Sequence, residues 1–516
     1  MHGMKHADQL HQMDADALRL LASQLISRVA EVERDNHLKQ MKIDKLSHEM
    51  AILRRYRFGK RSEQLNPEQR RLFDEAVDAD LEALALELSA LKDPASVPEP
   101  KAQPRRAPLP ANLPRRDVRH EPDTTVCSCG CALKRIGEDI SEKLDYTPGS
   151  FTVERHIRGK WVCNRCETLI QSPVPSHVID KGIPSTGLLA HVLIAKYLDH
   201  LPLYRQETIF GRAGLEIPRS TLAQWVGRCG FALEPLVDAL RQLMLTLGVL
   251  HADETPVPML KPGKGKTHTA YLWTYCTTPY APLQAVVYDF ADSRAGEHAR
   301  RFLHGWKGTL VCDDYSGYKA LFASGVTEAG CLVHARRKFH ELWEEKKDPI
   351  AEEALGFFAS IYAIEKLGKD VSASDRLHLR QTHTGPLLEL FHRWLTLQRQ
   401  KLGQEHQSLA SAMDYTLKRW TALTRFVDDG ELPPDNNPVE NRIRPIALGR
   451  ANWLFAGSQR AGERAANVMS LIQSAKLNGL DPYLYIKDVL ERLPTHRASR
   501  IEELLPHRWK PAVDSS

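Results

Sequence analysis

The sequence predicts a multidomain α/β protein, and three observations carry that prediction. At 516 residues the chain exceeds one ordinary domain and argues for three or four. Its texture changes along its length. A heptad-patterned stretch comes first, then a cysteine-bearing segment. From about residue 246, short runs of β-branched and aromatic residues alternate with helical patterns. Hydrophobic residues make up 42% and charged residues 26%, so cores can form and the chain as a whole does not read as disordered.

Residues 16 to 56 read as one long helix. With Leu18 at heptad position a, the a positions are Leu18, Leu25, Val32, Lys39, Leu46 and Leu53, and the d positions are Ala22, Val29, Asn36, Ile43 and Met50. The pattern fits a coiled coil in which Asn36 sets register at a cost in stability. An amphipathic helix packed on its own domain fits the same spacing. Self-association is the favoured expectation, because the repeat runs over five heptads. Arg54, Arg55, Arg57, Lys60 and Arg61 follow as a basic block, and such blocks pair with phosphates. The net charge of +5 says less than this placement. Residues 94–122 are rich in proline and carry Arg105, Arg106, Arg115, Arg116 and Arg119. They are expected to be a basic linker, since the segment offers almost nothing to bury.

Cysteine spacing dominates the next segment. Cys127, Cys129 and Cys131 face a CxxC pair, Cys163 and Cys166, across a few tens of residues. That is the layout of a structural zinc ribbon, in which four thiolates surround the ion tetrahedrally. The expected ligands are Cys127, Cys129, Cys163 and Cys166, with Cys131 able to replace one of the first two. The remaining cysteines are scattered, which argues against a disulfide framework and for a reducing compartment. The N-terminus lacks the apolar run of a signal peptide, and no stretch is long and apolar enough to span a membrane. The expectation is a cytoplasmic protein without a membrane partner.

Residues 184–230 carry helical spacing. GLLAHVLIAKYLDH reads as one helix and LYRQETIFGRAG as a second, stopped by Gly211 and Gly214. A third, TLAQWVGRC, is expected to be capped by Ser220, with Arg219 beside it as a candidate DNA contact. Short helices joined by a glycine-bearing turn outline a helix-turn-helix.

The remaining pattern carries chemistry. TLGVLHADET, AYLWTYC and QAVVYDF read as three strands, Arg294–Leu303 as a helix, GTLVCDDYSGY as a strand and YKALFA as a helix. GCLVHARRKF reads as a strand entering a basic helix. A three-strand meander followed by alternating helices and strands describes a ribonuclease-H-like core. Asp253 is expected at the end of the first strand and Asp313 at the end of the fourth. Glu440 heads a late helix, after a helical stretch from about 345 to 428. Breaking a phosphodiester needs an activated oxygen, charge relief at phosphorus and a stabilised leaving oxygen. Two magnesium or manganese ions about 3.5–4 Å apart supply all three, and hard cations prefer carboxylate oxygens. Asp314, Glu254, Asp289 and Asp435 compete for these roles. Asp314 would point to the opposite side of an extended strand from Asp313. Arg442 and Arg444 follow Glu440, and Arg444 shares its helix face, placing it either on a phosphate or on Glu440 itself. His334 and Cys331 are a possible second metal pair or core residues.

These segments together resemble the large DDE transposases of the insertion-sequence family sixty-six. The resemblance runs over nearly the whole chain: RFGKRSEQL, RIGEDISEKLDYTPGSFTVERHIRGKWVC, DHLPLYRQETIFGRAGLEIPRSTLAQWV, HADETPVPML, LVCDDYSGY, CLVHARRKF, DNNPVENRIRPIALGRANWLFAGS and LIQSAKLNGLDPYLYI. It implies a DDE site in which the Asp of HADET is Asp253, the first Asp of CDDY is Asp313 and the Glu of ENRIRP is Glu440. It implies a zinc segment, although the family's CPxCG is CSCGC here, one residue shorter. It further implies a leucine-zipper-like N-terminus, a homo-oligomer on the element's inverted repeats and on target DNA, small accessory proteins, and a place at the bacterial nucleoid. A regulator that binds DNA without cutting, and a nuclease that cuts without joining, are the alternatives.

The expected organisation is a coiled-coil and helical region over 1–93, the linker over 94–122, a zinc-binding-like segment over 123–172 and a helix-turn-helix-like domain over 173–240. A catalytic domain over 241–480, with its helical insertion at about 345–428, and a C-terminal helical tail over 481–516 complete it.

Overall fold

The structure, a computed structural model, describes residues 15–58, 67–91, 109–122 except 112, 124–179 except 148, 182–260, 267–403, 406–453 and 456–511. It divides into two units, residues 1–62 with 81–105, and residues 63–80 with 106–516.

In the first unit, α1 (Ala15–Phe58) is one helix of 44 residues. The C-terminal half of its apolar seam, Ile43, Leu46, Met50 and Leu53, packs on Leu84, Leu88 and Leu91 of α2 (Pro67–Leu91). Lys42 and Glu87 pair across that contact at 3.2 Å. The earlier seam residues Leu25, Val29 and Val32 are exposed, half or more of each surface open to water. Part of the heptad pattern is thus spent within the chain and part is left uncovered.

The second unit begins with a sheet of β1 (Arg115–His120), β2 (Leu133–Thr147), β3 (Ser150–Cys163) and β4 (Leu169–Gln171). β2 and β3 form a long antiparallel hairpin, while β1, parallel, and β4, antiparallel, share the other edge of β3. The end of the expected linker is therefore a strand. Composition hid it, because β1 is held by cross-strand charge rather than by apolar burial. Arg116 pairs with Glu154, Arg115 with Glu142 at 2.9 Å and Asp117 with Arg155 at 3.3 Å. Residues 92–108 lie outside the described residues, Arg105 and Arg106 among them.

Three helices follow, α3 (Thr186–Tyr197), α4 (Leu203–Arg212) and α5 (Arg219–Met244). Gly211 stays inside α4, and Gly214, at φ +86°, makes the turn that ends it. Ser220 does not cap α5. Pro218 holds the cap position, and the Glu207 carboxylate accepts the Arg219 N–H at 2.8 Å, so side-chain capping comes from the preceding helix. Leu193, Phe210, Leu222 and Trp225 belong to the same apolar core as Leu250, Trp273 and Tyr288 of the following sheet.

That sheet has five strands, β5 (Val249–Leu260), β6 (Thr267–Thr277), β7 (Val286–Ala291), β8 (Thr309–Cys312) and β9 (Thr327–Gly330), in the order β7-β6-β5-β8-β9. The first three are antiparallel neighbours, and β8 and β9 run parallel to β5. α6 (Glu297–Phe302) and α7 (Lys319–Ala323) sit in the connections. The last strand is TEAG and not GCLV. Leu332 already begins α8 (Leu332–Lys346), because Leu332, Ala335, Phe339 and Leu342 fall on one helical face and are buried.

The stretch after α8 is helical: α9 (Pro349–Leu367), α10 (Ala373–Leu379), α11 (Gly385–Lys401), α12 (Gln407–Lys418) and α13 (Trp420–Thr424). It closes over its own core around Phe339, Phe358, Phe391 and Met413, which also takes in Val311 and Ala329 of β8 and β9. The fully buried Arg380 is spent there on Glu365 and on the carbonyls of Phe426, Asp429 and Leu432. The chain then returns to the sheet as α14 (Asn437–Trp453), α15 (Gln459–Leu477) and α16 (Pro482–Arg492). α15 covers the edge strand β7. The Ser474 hydroxyl accepts the Val286 N–H at 3.0 Å and the Ser470 hydroxyl accepts that of Tyr288 at 2.9 Å, so these edge amides are not left open. No helix among the described residues is long and apolar enough to cross a membrane.

Candidate active site

Asp253 lies in the middle of β5, not at its end. β8 pairs with β5 only as far as His251 opposite Val311. Continuing that register by two places sets Asp253 beside Asp313, the first residue after β8. Asp253 therefore stands where its neighbouring strand has just ended and a crevice opens. Glu440 arrives in the first turn of α14, which packs on β5 and β6.

The electrostatics show how close these groups are. Burial, then Glu254, Asp313 and Glu440, push the Asp253 carboxyl up to about 7, although the Glu254 N–H donates to its Oδ1 at 2.8 Å. Glu440 Oε1 is buried without a hydrogen-bond partner. None of the three acids has an ion-pair partner among the described residues. The competing acids are already occupied. Glu254 accepts from Arg294 at 2.6 Å and from the Tyr318 hydroxyl at 2.8 Å. Asp289 pairs with Arg301 at 3.2 Å. Asp435 takes the Asn437 N–H at 3.0 Å and the Tyr362 hydroxyl at 3.1 Å. Asp314 turns to the other side, onto Lys319 and Arg419, and these cations hold its carboxyl below its usual range against a partial desolvation. Among the described residues Asp313 keeps only the Tyr315 N–H, at 3.0 Å. Hard carboxylate oxygens without protein cations suit a divalent ion.

Around Asp313 an open groove is lined by Arg294, Tyr315, His334, Arg337, Lys338 and Tyr415. The Arg294 guanidinium stacks over Tyr315 at 3.9 Å, and the Lys338 ammonium lies over the Tyr415 ring at 4.6 Å. Arg294, Lys338 and both tyrosines were not singled out from the sequence. The only sequence signal for them was basic residues beside strand-ending acids. Cys331, His334 and Glu440 bring their ligand atoms within 4.8 Å of one another, and His334 Nδ1 is buried without a partner.

The remaining candidates are dispersed. Arg442 and Arg444 make no ion pair among the described residues, Glu440 included, and Arg444 is exposed. Arg219 lies 3.8 Å from Asp74. Arg54 is exposed on α1. The side chains of Arg55 and Arg57, and Lys60 and Arg61 entirely, lie outside the described residues.

At the far end of the β2–β3 hairpin, Cys127, Cys129, Cys163 and Cys166 place all four sulfurs within 4.8 Å of one another, and Cys131 is not part of that group. A tight turn with Gly130 at φ +82° presents the first pair. The Thr168 hydroxyl and N–H bring the Cys166 thiol down to about 6, and the N–H groups of Cys166 and Arg165 lower that of Cys163. The neighbouring thiols push that of Cys129 up to about 12, so Cys163 and Cys166 are the pair prepared to act as thiolate ligands.

The described residues thus carry a set of acids at the β5–β8 crevice and on α14, a cluster of four thiols and a long N-terminal helix. Comparison with known proteins makes this specific. Residues 181–464 match the model of the transposase IS66 family, 470–507 the IS66 C-terminal element and 124–167 the zinc-finger binding domain of transposase IS66. Residues 45–118 match a model described as transposase C of IS166 homeodomain. Three relatives come from Sinorhizobium fredii (strain NBRC 101917 / NGR234), each carrying the name "uncharacterized protein". The relative y4qI is 36% identical over 519 residues, covering 96% of this chain and 94% of its own. For y4hP the figures are 35% over 496 residues, 92% and 89%, and for y4jD 39% over 420 residues, 78% and 81%. The chain belongs to the IS66 family of transposases. The zinc-finger match and the cysteine cluster together support zinc binding.

Proposed function

We propose that the protein cuts the phosphodiester bond at the ends of an insertion element and joins the freed 3′ hydroxyl to target DNA, in one site where Asp253, Asp313 and Glu440 hold two magnesium or manganese ions. The observation that carries this reading is the convergence of three acids from β5, the end of β8 and the head of α14, none with an ion-pair partner among the described residues and Glu440 Oε1 buried without a hydrogen bond; burial and mutual repulsion raise the Asp253 carboxyl accordingly. Such crowding is costly unless a cation offsets it. The strand order, a three-strand meander continued by two parallel strands, supports a ribonuclease-H-like core.

When bound, the ions would activate the attacking oxygen and offset charge on the phosphate. The protein's own part is positioning. Asp253 and Asp313 come from adjacent strands and Glu440 from a helix laid across them. Arg294, Arg337 and Lys338 beside Asp313 suit backbone phosphates, which fix register without reading sequence. Arg442, Arg444 and Arg219, and Arg54 in the other unit, are separate candidate DNA contacts. The exposed seam of α1 supports a second copy of the chain as its cover. The four thiols hold a structural zinc ion at the hairpin end. The domain organisation follows the sequence boundaries given above, except that the linker ends before β1, which joins the sheet of the zinc-binding segment; the accessory proteins of the element are further partners.

The test is cleavage and strand transfer on a labelled duplex bearing the element's own end, with magnesium or manganese. Metal-dependent nicking that Asp313→Asn abolishes, and joining from a pre-cut end, are expected. Nicking without joining would leave a nuclease, and end binding without nicking a regulator.

A further inference from the structure

We infer that Asn436 is the positioning residue of this site, locking the helix that carries Glu440 onto the strand that carries Asp253. The inference rests on the metal-site reading above and adds a residue to it. Asn436 is fully buried. Its Nδ2 donates to the Ala252 carbonyl at 2.9 Å, one residue before Asp253. Its Oδ1 lies 2.9 Å from His251 Nδ1. Because Nδ2 is spent on a carbonyl, Oδ1 must be the acceptor, so His251 donates from Nδ1. The Asn436 N–H donates to Cys331 Sγ at 3.2 Å, and the Leu332 N–H donates to the Pro434 carbonyl at 3.1 Å. Finally, the Asn436 carbonyl accepts the Glu440 N–H at 3.2 Å as the first turn of α14.

One residue thus joins three segments that are far apart in the chain, its side chain held by β5 and its backbone by the heads of α8 and α14. All of its bonds are shielded from water, so they do not exchange for solvent bonds when the helix shifts. Pro433, Pro434 and Pro438 stiffen the turn but give it no register against the sheet. Register comes from the amide, which needs a donor and an acceptor on the same planar group. An aspartate or an aliphatic side chain cannot supply both.

The test uses full-length protein and manganese alone, with binding read from the loss of the free aqua-ion EPR signal. Four proteins are compared: wild type, Asn436→Ala, Glu440→Gln and the double variant. Asn436→Ala is expected to weaken manganese binding about tenfold, the scale of losing a group that orients a ligand. In the Glu440→Gln background it should weaken binding no further, since its effect passes through Glu440. Affinity for end DNA should stay unchanged. Unchanged manganese binding in Asn436→Ala overturns the inference. So do losses that multiply in the double variant, because they mark general loosening. His251→Leu removes one tie only and carries the same comparison should Asn436→Ala not fold. Manganese binding that Asp313→Asn leaves untouched would remove the metal-site reading itself, and this inference with it.

Discussion

Replacing Asp253 by Asn should make the metal-free protein more stable, and only at neutral and alkaline pH. The folded protein holds the Asp253 proton more tightly than the unfolded chain does. Stability from this group is therefore complete below about pH 3.8, falls as pH rises, and reaches a constant loss above about pH 7. The displacement from 3.8 to about 7 corresponds to about 4 kcal/mol at a pH above both values. Water reaching the partly buried carboxyl screens some of this, leaving about 1–3 kcal/mol. Asn keeps the shape and carries no charge. In EDTA at pH 8, Asp253→Asn should melt a few degrees above wild type, and the gap should close toward pH 4. Adding manganese should reverse the order, because a ligand that binds only the folded state raises stability in proportion to its occupancy. A variant no more stable than wild type at pH 8 in EDTA, or a gap independent of pH, would refute the argument that uncompensated charge is stored at this position.

Other consequences follow from the same contacts. Glu365→Ala leaves the buried Arg380 without its carboxylate and should cost about 3–5 kcal/mol, read by thermal or urea unfolding; an unchanged midpoint would mean that the surrounding carbonyls suffice. Cys163→Ser should lose bound zinc while Cys131→Ser retains it, measured by metal analysis of purified protein; zinc lost from Cys131→Ser would put Cys131 among the ligands. Ser474→Ala leaves the buried Val286 amide unpaired and should cost about 1–3 kcal/mol; no loss of stability would show that β7 does not depend on this closure.

The candidate site was partly legible because acids that close apolar runs and an acid that heads a helix leave marks in one dimension, although Asp253 falls inside β5 and not at its end. Asp253, Asp313 and Glu440 could be singled out, and so could the cysteine spacing. What stayed hidden depends on contacts between distant residues. The role of Asn436 is defined by residues 251, 252 and 331, none near it in sequence. Arg294 is defined by Glu254 and Tyr315. The β1 strand was read as linker because its Arg-rich sequence has no apolar alternation, and cross-strand ion pairs supply what propensity does not. GCLV was read as a strand because a short apolar run does not distinguish a strand from the head of a buried helix.

The choice between Asp313 and Asp314 shows where sequence reasoning stops and tertiary structure takes over. Alternation along a strand says that the two carboxylates face opposite ways, but not which way is inward. The helical insertion decides it. Arg419, brought from more than a hundred residues away, binds Asp314 and Glu328, and Lys319 closes the same cluster. With those cations spent, Asp314 is electrically neutralised, whereas Asp313 stands beside Asp253 with only a backbone amide for support among the described residues. A metal ion gains more from an acid that lacks a protein cation than from one already paired. Asp314→Asn should therefore leave manganese binding and nicking within a few-fold of wild type, with a stability cost of about 0.5–1 kcal/mol for a partly exposed ion pair, while Asp313→Asn should lose both. A loss of manganese binding in Asp314→Asn equal to that in Asp313→Asn would show that the insertion helices, and not the strand end, organise the metal site.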